Sequence, residues 1–201
     1  MASRLAPLCG LVLAGGASRR MGTDKGALRY HGPTQREVVA GLLSPWCERV
    51  YVSCRPDQAA GLEPGLEALI DPAPDLGPIA GVLAAFAARP DAAWIVVACD
   101  LPLLDAGAIA DLVAHRSLDA DAVAFTGDRG RPEPMAAVWE PALAPLVRAA
   151  VAAGRLSPRE VLAAARCRLL PAPATALIDA DTPLAGAAAR QKLNLSAQEP
   201  I

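Results

Sequence analysis

Short apolar runs alternate along the chain with segments whose apolar residues recur at helical spacing. The apolar runs predict strands over residues 8–14, 49–54, 66–70, 94–99, 121–125, 135–139 and 176–178. The helical spacing predicts helices over residues 34–43, 78–86, 105–115, 141–153, 157–165 and 182–190. Strands that alternate with helices favour a three-layer α/β/α domain with a mostly parallel central sheet.

The length of 201 residues predicts one α/β domain over residues 1–190, followed by a polar tail over residues 191–201. Hydrophobic residues make up 53% of the chain and charged residues 20%, which excludes wholesale disorder. The apolar run at residues 92–99 is too short to span a bilayer, and no signal peptide is apparent. We therefore expect a soluble, cytoplasmic protein.

Charge and cysteine usage exclude several kinds of partner. The formal net charge of −2 and the aromatic content of 3% argue against nucleic acid and against an anionic membrane surface. The five cysteines form no Cys-x-x-Cys pair, and only two histidines are present, so zinc ligation is not expected. Reduced thiols in a cytosolic protein are the favoured interpretation.

A glycine-rich segment follows the first predicted strand, over residues 15–26. Gly15 and Gly16 expose backbone N–H groups that suit phosphate binding, and Arg19 and Lys25 add positive charge. The segment matches neither the dinucleotide nor the Walker fingerprint. An ordinary glycine turn with solvated arginines is the alternative. Lys25 is one of only two lysines in a chain that otherwise uses arginine, which favours a specific role.

Aspartates follow three of the predicted strands, where ligands bind in α/β sheets. Asp100 ends a wholly apolar strand and Asp71 ends another, so each is a candidate for contact with a cation or a nucleotide. Each could instead be a turn or cap residue before proline. Asp179 and Asp181 suit either metal ligation or a helix N-cap, and the cap is favoured for the pair, with Asp179 the freer of the two.

A protein nucleophile is not expected. His31 lies in a predicted loop and His115 at a predicted helix end, and no Gly-x-Ser-x-Gly motif is present. Cys99 has an apolar setting, which raises the pKa of a thiol and makes it a poor nucleophile. The candidate chemistry therefore depends on charge and positioning.

Taken together, these segments resemble the molybdenum cofactor guanylyltransferases, within the wider family of nucleotidyltransferases with an N-terminal signature loop. The resemblance is strong up to residue 102 and looser beyond, and it covers about the whole chain. It is based on residues 13–26, Asp71, residues 77–81, residues 99–102, Glu133-Pro134 and residues 181–183. It implies a Rossmann-like nucleotidyltransferase fold.

The resemblance also implies an activity, a cofactor and a set of site residues. The activity is transfer of GMP from GTP to the terminal phosphate of molybdopterin, with release of pyrophosphate and with Mg²⁺ as cofactor. A molybdoenzyme or an insertion chaperone is an implied partner. By this resemblance, guanine and ribose would bind at Leu13, Ala14 and Gly15, and the phosphates would lie near Gly16 and Arg19. Lys25 would stabilise charge, and Ser53 and Asp71 would contact the nucleotide. Asp100 would bind Mg²⁺, and Asp179 would be a weaker metal ligand.

The sequence departs from the family pattern and leaves alternatives open. Ser53 stands where relatives commonly have asparagine, which puts that nucleotide contact in question. A CTP-dependent molybdopterin cytidylyltransferase is the main rival, and Gly15 favours guanine because it leaves room for the larger base. Transfer to a sugar 1-phosphate or phospholactate is a weaker choice. A non-catalytic nucleotide-binding module predicts loss of a charged site residue, yet Arg19, Lys25, Asp71 and Asp100 are all present.

Overall fold

The computed structural model describes residues 4–14, 25–29, 32–73 and 76–180. Within them, seven strands form one sheet in the order β3-β2-β1-β4-β6-β5-β7. The strands are β1 Leu8–Leu13, β2 Val50–Cys54, β3 Glu67–Ile70, β4 Ala93–Ala98, β5 Ala122–Thr126, β6 Pro132–Trp139 and β7 Cys167–Leu170. The helices are α1 Gln35–Leu43, α2 Pro56–Ala59, α3 Ile79–Ala88, α4 Ala106–Ala114, α5 Ala144–Ala152 and α6 Pro158–Ala163.

The sheet is mostly parallel, as the alternation of strands and helices predicts. β1 pairs in parallel with both β2 and β4, β2 with β3, and β5 with β7. β6 lies antiparallel between β4 and β5. Its reversed direction places the start of β6 at the carboxyl edge of the parallel strands and its end at their amino edge.

Two apolar layers cover the sheet, one on each face. One layer packs α1 and α4 against the sheet through residues such as Leu43 and Ile109. The other packs α3, α5 and α6 through residues such as Phe86 and Leu162. Every residue of β1 and of β4 is buried, as a central strand covered on both faces requires. The three-layer architecture is therefore confirmed.

Side-chain caps fix where two of the helices begin. Thr34 accepts a hydrogen bond from the Glu37 amide and forms a reciprocal capping box with it, so α1 begins after Thr34. Asp105 accepts a hydrogen bond from the Ala108 amide at 2.8 Å and caps α4. Both helices thus begin where the sequence predicts.

The prediction of a last strand over residues 176–178 is wrong. Residues 174–177 form a turn instead of pairing with a neighbouring strand. In it the Ala176 amide donates to the Pro173 carbonyl oxygen and the Ile178 amide to the Thr175 carbonyl oxygen. The last strand of the described residues is β7, which supplies the edge beyond β5. The sequence analysis also missed the short helix α2. The predicted helix over residues 182–190 and the tail lie outside the described residues.

No helix of the described residues combines the length and the apolar character that crossing a bilayer requires.

Candidate active site

The carboxyl ends of β1, β2 and β4 meet at one edge of the sheet. The Ala14 amide donates to the Ser53 carbonyl oxygen at 3.0 Å, and the Cys99 amide donates to the Leu13 carbonyl oxygen at 3.2 Å. Leu13 and Ala14 are buried between these neighbours. The structure therefore brings the first candidate segment next to Ser53 and to the segment that contains Asp100.

Asp71 joins this edge through β3 and forms a buried pair with Ser53. The Ser53 hydroxyl donates a hydrogen bond to Asp71 Oδ1, and the two residues are 2% and 7% exposed. Burial raises the pKa of the Asp71 carboxyl, while the Ser53 hydrogen bond and the charge of Arg55 act in the opposite direction. Ser53 thus holds one oxygen of a carboxylate that costs free energy to keep ionised.

Gly81 allows α3 to lie directly against this pair. A β-carbon built at Gly81 would be 2.7 Å from Leu13 Cδ2 and 3.0 Å from Ser53 Cβ, both closer than ordinary contact. The structure shows that the groups that approach are the protein's own side chains at the end of β1 and β2.

Asp100 and the segment containing Asp179 lie side by side. The Ala180 amide donates to the Asp100 carbonyl oxygen at 2.9 Å, which joins the end of β4 to the last described segment. Asp100 is half-buried and Asp179 is exposed. Asp181, the other half of that predicted pair, lies outside the described residues.

The donor set at this edge fits a magnesium ion. The described residues contain no group of three or more His, Cys, Asp or Glu that could hold a metal. Mg²⁺ does not require such a cage, because it keeps several waters and binds through one or two carboxylates together with substrate phosphates. Asp100, with Asp179 on the adjoining segment, supplies ligands of that type.

Much of the predicted signature loop lies outside the described residues, including Gly15, Gly16 and Arg19. The chain is described again from Lys25, which opens a 3₁₀ turn over Lys25–Ala27. A β-carbon at Gly26 would be 3.2 Å from Ala14 Cβ. The backbone at residues 25–26 therefore returns to the end of β1.

Gln58 is a site-forming residue that sequence reasoning missed. It is 8% exposed, its Oε1 accepts from the Arg55 amide at 3.0 Å, and its Nε2 lies 3.5 Å from the Ala14 carbonyl oxygen. It reaches the site because α2 begins at Pro56, directly after β2. A proline followed two residues later by glutamine at a strand end was the available signal.

The structure describes all five cysteines, and none of them forms a disulfide. Burial raises the pKa of Cys47 to about 12 and that of Cys167 to about 11, so these two thiols are difficult to ionise. Cys99 is buried.

Glu133, a residue of the family resemblance, forms an ion pair with Arg159 at 2.9 Å at the start of β6. Its observed partner is thus a side chain of the protein.

Comparison with known sequences gives a consistent result. The sequence model described as "MobA-like NTP transferase domain" matches residues 10–169. A "Molybdenum cofactor biosynthesis bifunctional protein" of Synechocystis is 36% identical over 167 residues, which are 82% of this chain and 48% of the relative. The chain therefore spans about half the length of that relative. A "Probable molybdenum cofactor guanylyltransferase" of Mycobacterium tuberculosis is 40% identical over 154 residues, 74% of this chain and 75% of the relative.

Solved structures share the fold. Molybdopterin-guanine dinucleotide biosynthesis protein A from Archaeoglobus fulgidus superposes with a TM-score of 0.76 at 22% identity, covering 93% of this chain and 99% of that one. A 2-C-methyl-D-erythritol 4-phosphate cytidylyltransferase from Thermus thermophilus gives 0.64 at 20% identity, covering 95% and 100%. These confirm the Rossmann-like nucleotidyltransferase fold. With the sequence match spanning residues 10–169, the chain belongs to the family of MobA-like NTP transferase domains.

Proposed function

We propose that this protein transfers GMP from GTP to the terminal phosphate of molybdopterin, forming the guanine dinucleotide and releasing pyrophosphate. The central observation is the convergence at one sheet edge of Leu13–Ala14, the buried Ser53–Asp71 pair and the half-buried Asp100. The names of the related sequences, molybdenum cofactor guanylyltransferases among them, support the choice of base and acceptor.

The reaction requires positioning and charge neutralisation rather than a protein nucleophile. A phosphate oxygen of the acceptor attacks the α-phosphorus of GTP in line, and the bond from that phosphorus to the bridging oxygen breaks as pyrophosphate leaves. No residue is covalently modified, which agrees with the raised pKa values of Cys47 and Cys167.

Different residues of the chain would bind different parts of the nucleotide. Leu13, Ala14 and Gly15 would hold guanine and ribose through the backbone, and Asp71, oriented by Ser53, would contact the nucleotide. Gly16 and Arg19 would lie near the phosphates. Lys25 would stabilise the charge that develops at the α-phosphate, for which a compact ammonium differs from a planar guanidinium.

Asp100 would hold Mg²⁺, and Asp179 would be a second, weaker ligand. Bound there with the phosphates, the ion would neutralise charge on the nucleotide and on the departing pyrophosphate. Asp100 follows the wholly buried strand β4 by two residues, and the hydrogen bond from the neighbouring Cys99 amide to the Leu13 carbonyl oxygen fixes its backbone relative to Leu13.

The product would pass to a molybdoenzyme or to a chaperone that inserts the cofactor. We place the reaction in the cytoplasm, because the five free cysteines suit a reducing compartment.

The proposal is tested by incubating the protein with molybdopterin, Mg²⁺ and GTP labelled at the α-phosphate. We expect label in a dinucleotide product and an equal amount of pyrophosphate. A control without acceptor should form neither above background, and Lys25→Ala should form both about a hundredfold more slowly than wild type. Pyrophosphate release that does not depend on the acceptor, or label transfer from CTP but not from GTP, would overturn the proposal.

A further inference from the structure

A buried ion pair supports the chain where the signature loop returns. Arg36, in the first turn of α1, donates from Nε to Glu63 Oε2 at 3.2 Å and from Nη2 to Glu63 Oε1 at 3.0 Å. The side chains of Arg36 and Glu63 are 4% and 13% exposed. Two parallel hydrogen bonds between a guanidinium and a carboxylate fix both groups in orientation as well as in distance.

The aliphatic part of Arg36 packs against Gly26. A β-carbon at Gly26 would be 2.7 Å from Arg36 Cγ and 2.9 Å from Arg36 Cδ, with Ala14 Cβ 3.2 Å away. The backbone next to Lys25 is therefore enclosed between the end of β1 and the stem of this arginine. A hydrogen bond from the Gln35 amide to the Leu28 carbonyl oxygen, 2.8 Å long, ties the same turn to α1.

Glu63 keeps Arg36 in this position. Burial alone would raise the pKa of Glu63, but hydrogen bonds from Arg36 and from Thr34 hold it below the usual value of a glutamate. Glu63 lies in the connection between α2 and β3, so the pair joins the Lys25 turn to the segment that leads to Asp71. Loss of the Glu63 charge would weaken the two charge-assisted hydrogen bonds that hold the buried guanidinium.

We propose that Arg36, held by Glu63, is a positioning residue for nucleotidyl transfer: it sets the backbone at Lys25–Gly26, and Lys25 is the residue proposed above to stabilise charge at the α-phosphate. This inference rests on the proposed function. Arg36 touches no reacting atom in it. A displacement of about 1 Å in a catalytic group can cost about a hundredfold in rate, so a rigid support behind Lys25 has a large effect on turnover.

The opposite edge of the sheet provides a matched control. Arg116 and Glu140 form a second buried, two-bond pair, with distances of 2.7 and 3.0 Å and side chains 7% and 10% exposed. Glu140 directly follows β6, which ends beside Trp94 at the start of β4. The control pair therefore has the same chemistry and burial but lies at the amino edge, away from Lys25.

The test compares Glu63→Gln with Glu140→Gln in the GMP-transfer assay. Both should lower Tm, because each removes the negative charge that accepts two hydrogen bonds from a buried arginine. Only Glu63→Gln should lower kcat, by about tenfold or more, with the KM for GTP within about threefold of wild type. Glu140→Gln should keep kcat within about twofold. Equal effects of the two variants on kcat would overturn the positioning role and leave a purely structural one.

Gly26→Ala provides a second route that leaves the ion pair chemically intact. Its added β-carbon presses on Arg36 Cγ and Cδ and should displace the Lys25 turn, so we expect kcat to fall by at least about tenfold. If Glu63→Gln does not fold, the kcat of Gly26→Ala alone tests the positioning role. Wild-type turnover by Gly26→Ala would then overturn the proposal.

Amide hydrogen exchange separates this inference from the proposed function. Exchange at residues 25–29 should be faster in Glu63→Gln than in wild type and unchanged in Glu140→Gln. That result, in a protein that transfers no GMP, would contradict the proposed function and still support the placement of the Lys25 turn by Arg36. Unchanged exchange in Glu63→Gln, in a protein that does transfer GMP, would contradict the placement alone.

Discussion

Replacement of Gly81 by alanine tests the packing that holds Ser53 and Asp71 at the sheet edge. The new β-carbon would be 2.7 Å from Leu13 Cδ2 and 3.0 Å from Ser53 Cβ, so α3 or the strand ends must move. Movement of Ser53 would break its hydrogen bond to the Asp71 carboxylate. Gly41 in α1 is the matched control, because a β-carbon there meets nothing within 4 Å.

The expected stability changes have opposite signs. Alanine in place of glycine inside a helix stabilises it by about 1 kcal/mol, and that gain applies to both variants. At Gly81 the overpacking costs about 1–3 kcal/mol. Loss of a hydrogen bond to a charged group costs a further 1.5–3 kcal/mol or so. The net expectation is a loss of about 3 kcal/mol for Gly81→Ala and a gain of up to about 1 kcal/mol for Gly41→Ala.

Thermal unfolding and GTP titration measure both consequences. For a chain of this size about 1 kcal/mol shifts Tm by about 2–4 °C, so Gly81→Ala should lower Tm by about 6–12 °C while Gly41→Ala raises it slightly. We also expect Gly81→Ala to bind GTP about tenfold more weakly, a loss of about 1.4 kcal/mol. If Gly81→Ala is as stable as Gly41→Ala and binds GTP normally, close packing at Gly81 does not hold the Ser53–Asp71 pair.

Three further predictions concern charge. Lys25→Ala should lower kcat by about a hundredfold, or about 3 kcal/mol, with an unchanged circular-dichroism spectrum; turnover within about threefold of wild type would contradict the role. Asp100→Asn should weaken Mg²⁺-dependent GTP binding in calorimetry without lowering the Tm of the protein alone; a lower Tm with unchanged metal dependence would indicate a structural cap. Asp71→Asn should raise Tm in the absence of nucleotide. The raised pKa of Asp71 means that its ionisation opposes folding, so this gain should be small in acid and grow as pH rises through that pKa; a constant gain would refute the linkage.

The central strands were predictable because they are apolar along their whole length. β1 and β4 are buried at every position, and runs of this length between turn residues favour a strand over a helix. The run over residues 176–178 has the same apolar character, yet it closes a turn with Pro173 and Thr175. Apolar character alone does not distinguish a short strand from a turn packed on the core.

Strand direction was not predictable from the pattern. The antiparallel course of β6 depends on the turn that connects it to β5. Side chains alternate between the two faces of a strand whichever way the strand runs, so the pattern of apolar residues does not reveal its direction. The sequence located the start of β6 near residue 135, whereas the strand begins at Pro132.

The meeting of candidate residues at one edge of the sheet was predictable from the sequence, but the contacts between them were not. Parallel strands bring their carboxyl ends to one edge, which is sufficient to place Asp71 and Asp100 near Leu13. The Ser53–Asp71 hydrogen bond joins residues 18 apart and depends on the register between β2 and β3. The contact between Arg36 and Gly26 likewise depends on how α1 packs beside the first loop. Strand register and helix packing are properties of the folded chain, so the spacing of residues along the sequence does not predict them.

The choice of base tests the account most directly, because every proposed role depends on GTP as the donor. We predict that wild type prefers GTP to CTP by at least about tenfold in kcat/KM for transfer to molybdopterin, or about 1.4 kcal/mol. Gly15→Ala should reduce that preference, mainly by raising the KM for GTP. Equal or better use of CTP by the wild-type protein would contradict the guanylyltransferase function and favour cytidylyl transfer instead.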